Sequence, residues 1–147
     1  MKFYVLNNNA VHPTVHGVQV ILYSATNMVV QAGEIKKIRT SITLEPPPGK
    51  CVFIVSDTEL VGNSAVEVFG APLVISSYSE EELLIPLKNS GRNPLNILKG
   101  HKVACAILVD VYEIKLQDGG KREVLEPNPE KSLPPKIRGS DIKFEIK

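Results

Sequence analysis

Short hydrophobic runs recur along the chain, and clusters of turn-forming residues separate them. In residues 34–44 the side chains of Ile38, Thr40, Ile42 and Leu44 fall on one face, as expected of a strand that alternates between two environments. No segment keeps a helical period over several turns, and only residues 57–63 fit a short helical turn. The pattern therefore predicts strands near 2–6, 17–24, 28–31, 34–44, 50–56, 65–69, 72–78, 82–88, 93–98, 102–112 and 121–125.

The turns between these runs are rich in glycine and proline. The stretches PPPG at 46–49 and DGG at 118–120 are examples. Many short strands joined by such turns are typical of an antiparallel sandwich, a jelly roll or a small barrel. We therefore expect one all-β domain over residues 1–125.

From residue 126 the composition changes. The stretch EPNPEKSLPPKIRGSD contains four prolines and few apolar residues, which predicts an extended arm. At its end, in a predicted strand over 141–146, Ile142, Phe144 and Ile146 share one face. This strand at the end of the 126–147 arm could pair with a sheet edge of its own subunit, be exchanged with a neighbouring subunit, or remain a frayed tail.

The predicted strand at 102–112 is apolar on both faces. Such a strand is covered on both sides, either as a central strand of a sandwich or by another subunit. Ala104, Ala106 and Leu108 share one face, and the two alanines would allow a close approach near a symmetry axis. These three residues are the candidates for a subunit interface, together with Ile142, Phe144 and Ile146.

Composition excludes some classes of partner. The chain has 147 residues, is 43% hydrophobic and carries a formal net charge of +1, so nothing attracts it strongly to nucleic acid or to an anionic membrane. No apolar run approaches the roughly 20 residues of a membrane span, and the first residues do not resemble a signal peptide. Cys51 and Cys105 lie in apolar runs and are expected to be free thiols of a cytoplasmic or nuclear protein. No spacing of Cys or His suggests zinc, so we expect no cofactor.

Six short segments follow one another in a characteristic order: ILYSA at 21–25, AGE at 32–34, PPPGKCVFIV at 46–55, VISSY at 74–78, LKNSG at 87–91 and KGHKVACAIL at 99–108. Their order and spacing resemble the trimeric dUTPases, whose corresponding segments are AGxDLxSA, PGE, LPxGYxGxVxPRSG, GVIDxxYRGE, LxNxS and KGDRIAQLI. The resemblance implies the β-barrel or jelly roll (β-clip) of that family, and a homotrimer with strand 102–112 near the threefold axis.

The same resemblance shows where the chain departs from an active dUTPase. The aspartate of the first motif falls on Ile21, and the phosphate-facing arginine of the second motif falls on Asp57. The catalytic aspartate of the third motif falls on Ser76, and the glutamine of the fourth falls on Cys105. The glycine-rich fifth motif is absent. What would remain of the nucleotide cleft, called here the remnant cleft, consists of Ser56, Asp57, Thr58, Gly70, Ile75, Ser76 and Tyr78.

These departures predict a catalytically inactive, dUTPase-related protein that acts as an interaction, regulatory or structural module through protein contacts. Viruses and mobile elements carry dUTPase-related proteins of this kind. One alternative is a hydrolase of nucleotide phosphates with a rebuilt site, in which Asp57, Glu59 and the acids at 80–82 would hold Mg²⁺. A further alternative is a viral structural or movement component with a jelly-roll fold.

Overall fold

The hydrophobic runs form strands close to the predicted positions. The computed structural model describes residues 1–125. Its elements are β1 (Lys2–Val5), β2 (Thr14–His16), β3 (Gln19–Tyr23), β4 (Met28–Val30), β5 (Ile35–Arg39), β6 (Ile42–Glu45), β7 (Lys50–Val55), α1 (Thr58–Ser64), β8 (Val66–Val68), β9 (Leu73–Ile75), β10 (Leu84–Asn89), β11 (Leu95–Ile97) and β12 (Lys102–Asp110).

All strand pairs are antiparallel, which confirms the all-β class. The largest sheet has the order β2-β3-β12-β7-β9, and a second has the order β5-β10-β8. β1 pairs with β6, and β11 pairs with β4. Within residues 1–125 the strands thus form four separate sheets rather than one closed barrel.

The core lies between these sheets. The five-stranded sheet contributes Leu22, Val52 and Ile54, all fully buried, and the three-stranded sheet contributes side chains such as Ile38 and Leu87. Burying a side chain of this size contributes about 1.5–3 kcal/mol relative to leaving it exposed. The alternation of apolar residues along the strands therefore serves this single core.

Residues with positive φ divide one predicted strand and shorten another at its beginning. The segment 34–44 divides into β5 and β6 because Ser41 adopts a φ of 56°. The segment 17–24 begins with a tight turn at Gly17, whose φ is 65°, and this turn joins β2 to β3. The short helical turn predicted at 57–63 is α1. Residues 121–125 contain no strand, so that prediction is wrong.

Two of the interface candidates on β12 are covered within the chain itself. Ala104 and Ala106 are fully buried in the core of the same chain, so no neighbouring subunit is needed to cover them. Leu108, near the end of the strand, is 42% exposed. An alanine that faces a crowded core and an alanine that faces a symmetry axis are identical in sequence, and the subunit interface stays a prediction.

Residues Met1–Glu113 form one compact unit, and residues 114–125 lie outside it. Residues 114–125 contain neither helix nor strand. The predicted arm at 126–147, with its terminal strand and the candidates Ile142, Phe144 and Ile146, lies outside the described residues. Among the described residues, no helix is long and apolar enough to cross a membrane.

Candidate functional site

Three of the segments that resemble dUTPase motifs meet on the five-stranded sheet. Cys105 on β12 lies directly opposite Ile21 on β3 and, on its other side, opposite Val55 on β7. Directly opposed residues project from the same face of a sheet. Ile21 is 8% exposed and Cys105 is 4% exposed. The place where the resemblance expects an aspartate and a glutamine is therefore a buried apolar surface.

The end of β7 leads into α1 through two polar residues of the remnant cleft. The hydroxyl of Ser56 accepts a hydrogen bond of 2.9 Å from the backbone amide of Val68. Asp57 is the N-cap of α1, and its carboxylate accepts a hydrogen bond of 3.1 Å from the amide of Leu60. Asp57 is 6% exposed. Both side chains thus have structural partners within the chain.

An ion pair lies beside this cap. The ammonium group of Lys102, the first residue of β12, donates a hydrogen bond to the carboxylate of Glu59 in the first turn of α1. This hydrogen bond lowers the pKa of Glu59 and raises the pKa of Lys102. Both side chains are exposed, so the pair contributes little to the stability of the fold.

The thiol of Cys105 is held in its protonated form. Burial raises the pKa of Cys105, the neighbouring carboxylate of Asp57 raises it further, and Lys102 has a smaller opposite effect. Because the thiolate is the reactive form of cysteine, this environment does not favour nucleophilic chemistry. Cys51 and Cys105 are both free and buried, as the sequence predicted.

The residues around Cys105 do not fit Mg²⁺. Mg²⁺ prefers oxygen ligands, chiefly carboxylates and water, and Ile21 offers none. Of the two nearby carboxylates, Asp57 caps α1 and Glu59 is paired with Lys102. Within residues 1–125, no group of three or more His, Cys, Asp or Glu side chains could hold a metal ion.

The rest of the remnant cleft lies away from these positions. Ile75 on β9 pairs with Val52, three residues before Val55, so Ser76 lies about 10 Å or more along β7 from the meeting point of the other motifs. Gly70 lies in the turn between β8 and β9. The ring of Tyr78, which is 46% exposed, contacts the edge of Tyr4 at a centroid distance of 5.4 Å. Within a single chain, the third motif therefore lies apart from the first, second and fourth motifs.

The acids that would hold Mg²⁺ in the alternative with a rebuilt site do not come together in one group. Glu82 pairs with Arg39 at 3.1 Å, and Glu59 pairs with Lys102. Sequence reasoning did not find either ion pair, because the partners are 43 residues apart and belong to no recognisable motif. The only sign of these pairs in the sequence is that the partners carry opposite charges, and many other pairs of residues in the chain do so as well.

Comparisons with known proteins support the resemblance. The chain is 31% identical over 97 residues to the deoxyuridine 5'-triphosphate nucleotidohydrolase of Clostridioides difficile, which covers 66% of this chain and 68% of the relative. The chain belongs to the dUTPase family. The enzyme of the same name from Trichodesmium erythraeum is 28% identical, with the same coverage. No protein-family model matches the chain.

Solved structures of phage dUTPases share the fold. A mutant dUTPase from phage phi11 of S. aureus has a TM-score of 0.74 at 17% identity, over 82% of this chain and 96% of the other. The dUTPase of Staphylococcus bacteriophage 80alpha has a TM-score of 0.75 at 16% identity, over 84% and 97%. These matches confirm the dUTPase-like all-β fold and disfavour an unrelated jelly roll.

The helix cap formed by Asp57 can be tested by substitution. We expect Asp57→Ala to lower the free energy of unfolding by about 1 kcal/mol, because the amide of Leu60 loses its acceptor. Asp57→Ser restores a capping oxygen and should recover most of this loss. Urea unfolding of the two variants and the wild type measures both effects. Equal stability of all three proteins would contradict the capping role.

Proposed function

We propose that this member of the dUTPase family is catalytically inactive and acts through protein contacts as a homotrimer. One observation carries the proposal: the positions that resemble the substrate-handling residues of the first and fourth motifs, Ile21 and Cys105, form a buried apolar surface. A polyphosphate with its metal requires charged and polar groups at such positions.

The second motif supports the same conclusion. The amides at the start of a helix favour a bound anion, and the carboxylate of Asp57 already accepts a hydrogen bond from one of them. A negative side chain at this place would also repel an approaching triphosphate. The Asp57 cap therefore stabilises α1 at the expense of phosphate binding.

The third motif lacks a group that could activate water. Hydrolysis requires a base within hydrogen-bond reach of the attacking water, and the position of the catalytic aspartate is occupied by Ser76. A serine hydroxyl is far too weakly basic for this role at neutral pH. The proposed loss of activity thus involves the base, the metal ligand and the phosphate contacts together.

A role in protein contacts is supported by exposed apolar side chains on the five-stranded sheet. Leu108 is 42% exposed on β12, and Val74 is 59% exposed on the edge strand β9. The solved dUTPase of phage 80alpha belongs to the phage dUTPases that control transfer of virulence genes by a proto-oncogenic G protein-like mechanism. A regulatory role of a related kind is our proposal for this chain.

Incubation of the purified protein with dUTP and Mg²⁺, followed by an assay for pyrophosphate, tests the proposed inactivity. We expect no turnover above the buffer blank, because the base and metal ligand are absent. An active dUTPase from a bacterial relative serves as the positive control. Turnover in the usual enzymatic range, about 1–10³ s⁻¹, would refute the proposal.

The proposed trimer is tested separately by light scattering. We expect a particle of three times the 16.1 kDa mass of one chain. Leu108→Glu places a charge at the proposed contact and should dissociate the trimer, whereas Val18→Glu, at an 88% exposed position, should not. A monomeric wild-type protein would contradict this part of the proposal and leave the assay of activity unaffected.

A further inference from the structure

A polar cleft lies at one end of the β domain, away from the apolar surface at Ile21 and Cys105. It has a volume of about 260 Å³ and is lined by residues 25 and 26 together with the side chains of Asn9, Asn27, Arg39, Ser41 and Lys99. These residues come from four separate parts of the sequence, and none belongs to the remnant cleft.

Ser41 is the least expected of the lining residues. It is only 2% exposed, and it adopts a φ of 56°, which non-glycine residues rarely adopt. Its backbone amide donates to the carboxylate of Glu82 at 2.8 Å. Within residues 1–125, no protein group hydrogen-bonds to its hydroxyl, and Ser41 is one of the residues that line the cleft. The hydroxyl is not sealed from solvent, so, held on a strained backbone and engaged by no protein group, it can serve a ligand as a hydrogen-bond donor.

The acid next to the cleft is already bound. Glu82 accepts hydrogen bonds from Nε of Arg39 at 3.2 and 3.3 Å and lies 3.1 Å from its Nη2. With the amide of Ser41, these contacts hold the carboxylate and orient the guanidinium group. The Nη1 side of Arg39 remains available for another acceptor.

Lys99 adds a second cation to the lining. Its backbone amide donates to Oδ1 of Asn27 at 2.8 Å, which leaves the amide NH₂ group of Asn27 as a free donor. The ammonium group of Lys99 pairs with no carboxylate in the part of the chain that the structure describes. Two cations and one acid give the cleft a net charge of about +1.

We propose that this cleft binds a phosphate group. The polar groups available in the cleft are mainly hydrogen-bond donors. Because donors repel a metal ion and attract an anion, the cleft favours an anionic ligand. Donors come from an arginine, a lysine, a hydroxyl and two amides, which is more than the two oxygens of a carboxylate can accept. Phosphate presents oxygens in four directions and pairs well with arginine and lysine. The phosphate could be inorganic or part of a nucleotide.

Calorimetric titration of the full chain with inorganic phosphate, at constant ionic strength maintained with chloride, tests the proposal. We expect one saturable site per chain. Lys99→Met keeps the aliphatic stem but removes the charge, and we expect about tenfold weaker binding. Lys115→Met removes an exposed charge that does not line the cleft and should leave the affinity unchanged.

Ser41→Gly gives a second test that does not depend on charge. Glycine adopts positive φ without strain, so this variant should fold at least as stably as the wild type, as urea unfolding can verify. Loss of the hydroxyl should weaken phosphate binding several-fold. Unchanged affinity in both Ser41→Gly and Lys99→Met, or an equal loss in Lys99→Met and Lys115→Met, would overturn the proposal.

Competing ligands identify the source of the phosphate. Equal affinity for inorganic phosphate and for a nucleoside monophosphate would show that the cleft recognises the phosphate group alone. Tighter binding of the nucleotide would support a phosphate ester as the ligand. Equal affinity for acetate, or no saturable binding at millimolar phosphate, would refute the phosphate site. None of these outcomes depends on whether the protein hydrolyses dUTP.

Discussion

The pairing of β12 with both β3 and β7 is the constraint on which the rest of the structure depends. This strand lies at the centre of the largest sheet, and its register fixes which residues of three distant segments become neighbours. One face, with Ala104 and Ala106, closes the core, and the other brings Cys105 beside Ile21 and Val55. Residues that pack in the core and a residue at a motif position of the family therefore alternate along this strand.

This division explains how a dUTPase fold can persist without the residues of the family's chemistry. Side chains such as Leu22 and Val52 maintain the core whatever residues occupy the opposite face of the sheet. Replacing a polar residue on that face by an apolar one costs the fold little when its neighbours are apolar as well. The Asp57 cap has a second effect. The carboxylate that stabilises α1 also disfavours a phosphate at the start of that helix.

Much of the fold could be predicted from the sequence, because alternation and turn residues act locally. What covers each face of β12 could not be predicted, since both faces are apolar and both are buried around Cys105 and Ala106, and only the tertiary structure decides which elements cover them. The break at Ser41 was missed because positive φ is not expected of serine. The resemblance marked Ile21, Asp57 and Cys105 as positions of three motifs, but it did not show which of them pair on the sheet. The cleft of Arg39, Ser41 and Lys99 depends on tertiary contacts without a sequence signature.

The central claim is that the positions around Ile21 and Cys105 no longer accept a metal-bound nucleotide. Calorimetric titration with a non-hydrolysable dUTP analogue, with and without Mg²⁺, tests it most directly. We predict no binding that depends on Mg²⁺, because no metal ligands converge there; weak binding independent of Mg²⁺ would belong to the phosphate cleft. Tight binding that requires Mg²⁺ and weakens in a Cys105→Leu variant would contradict the claim.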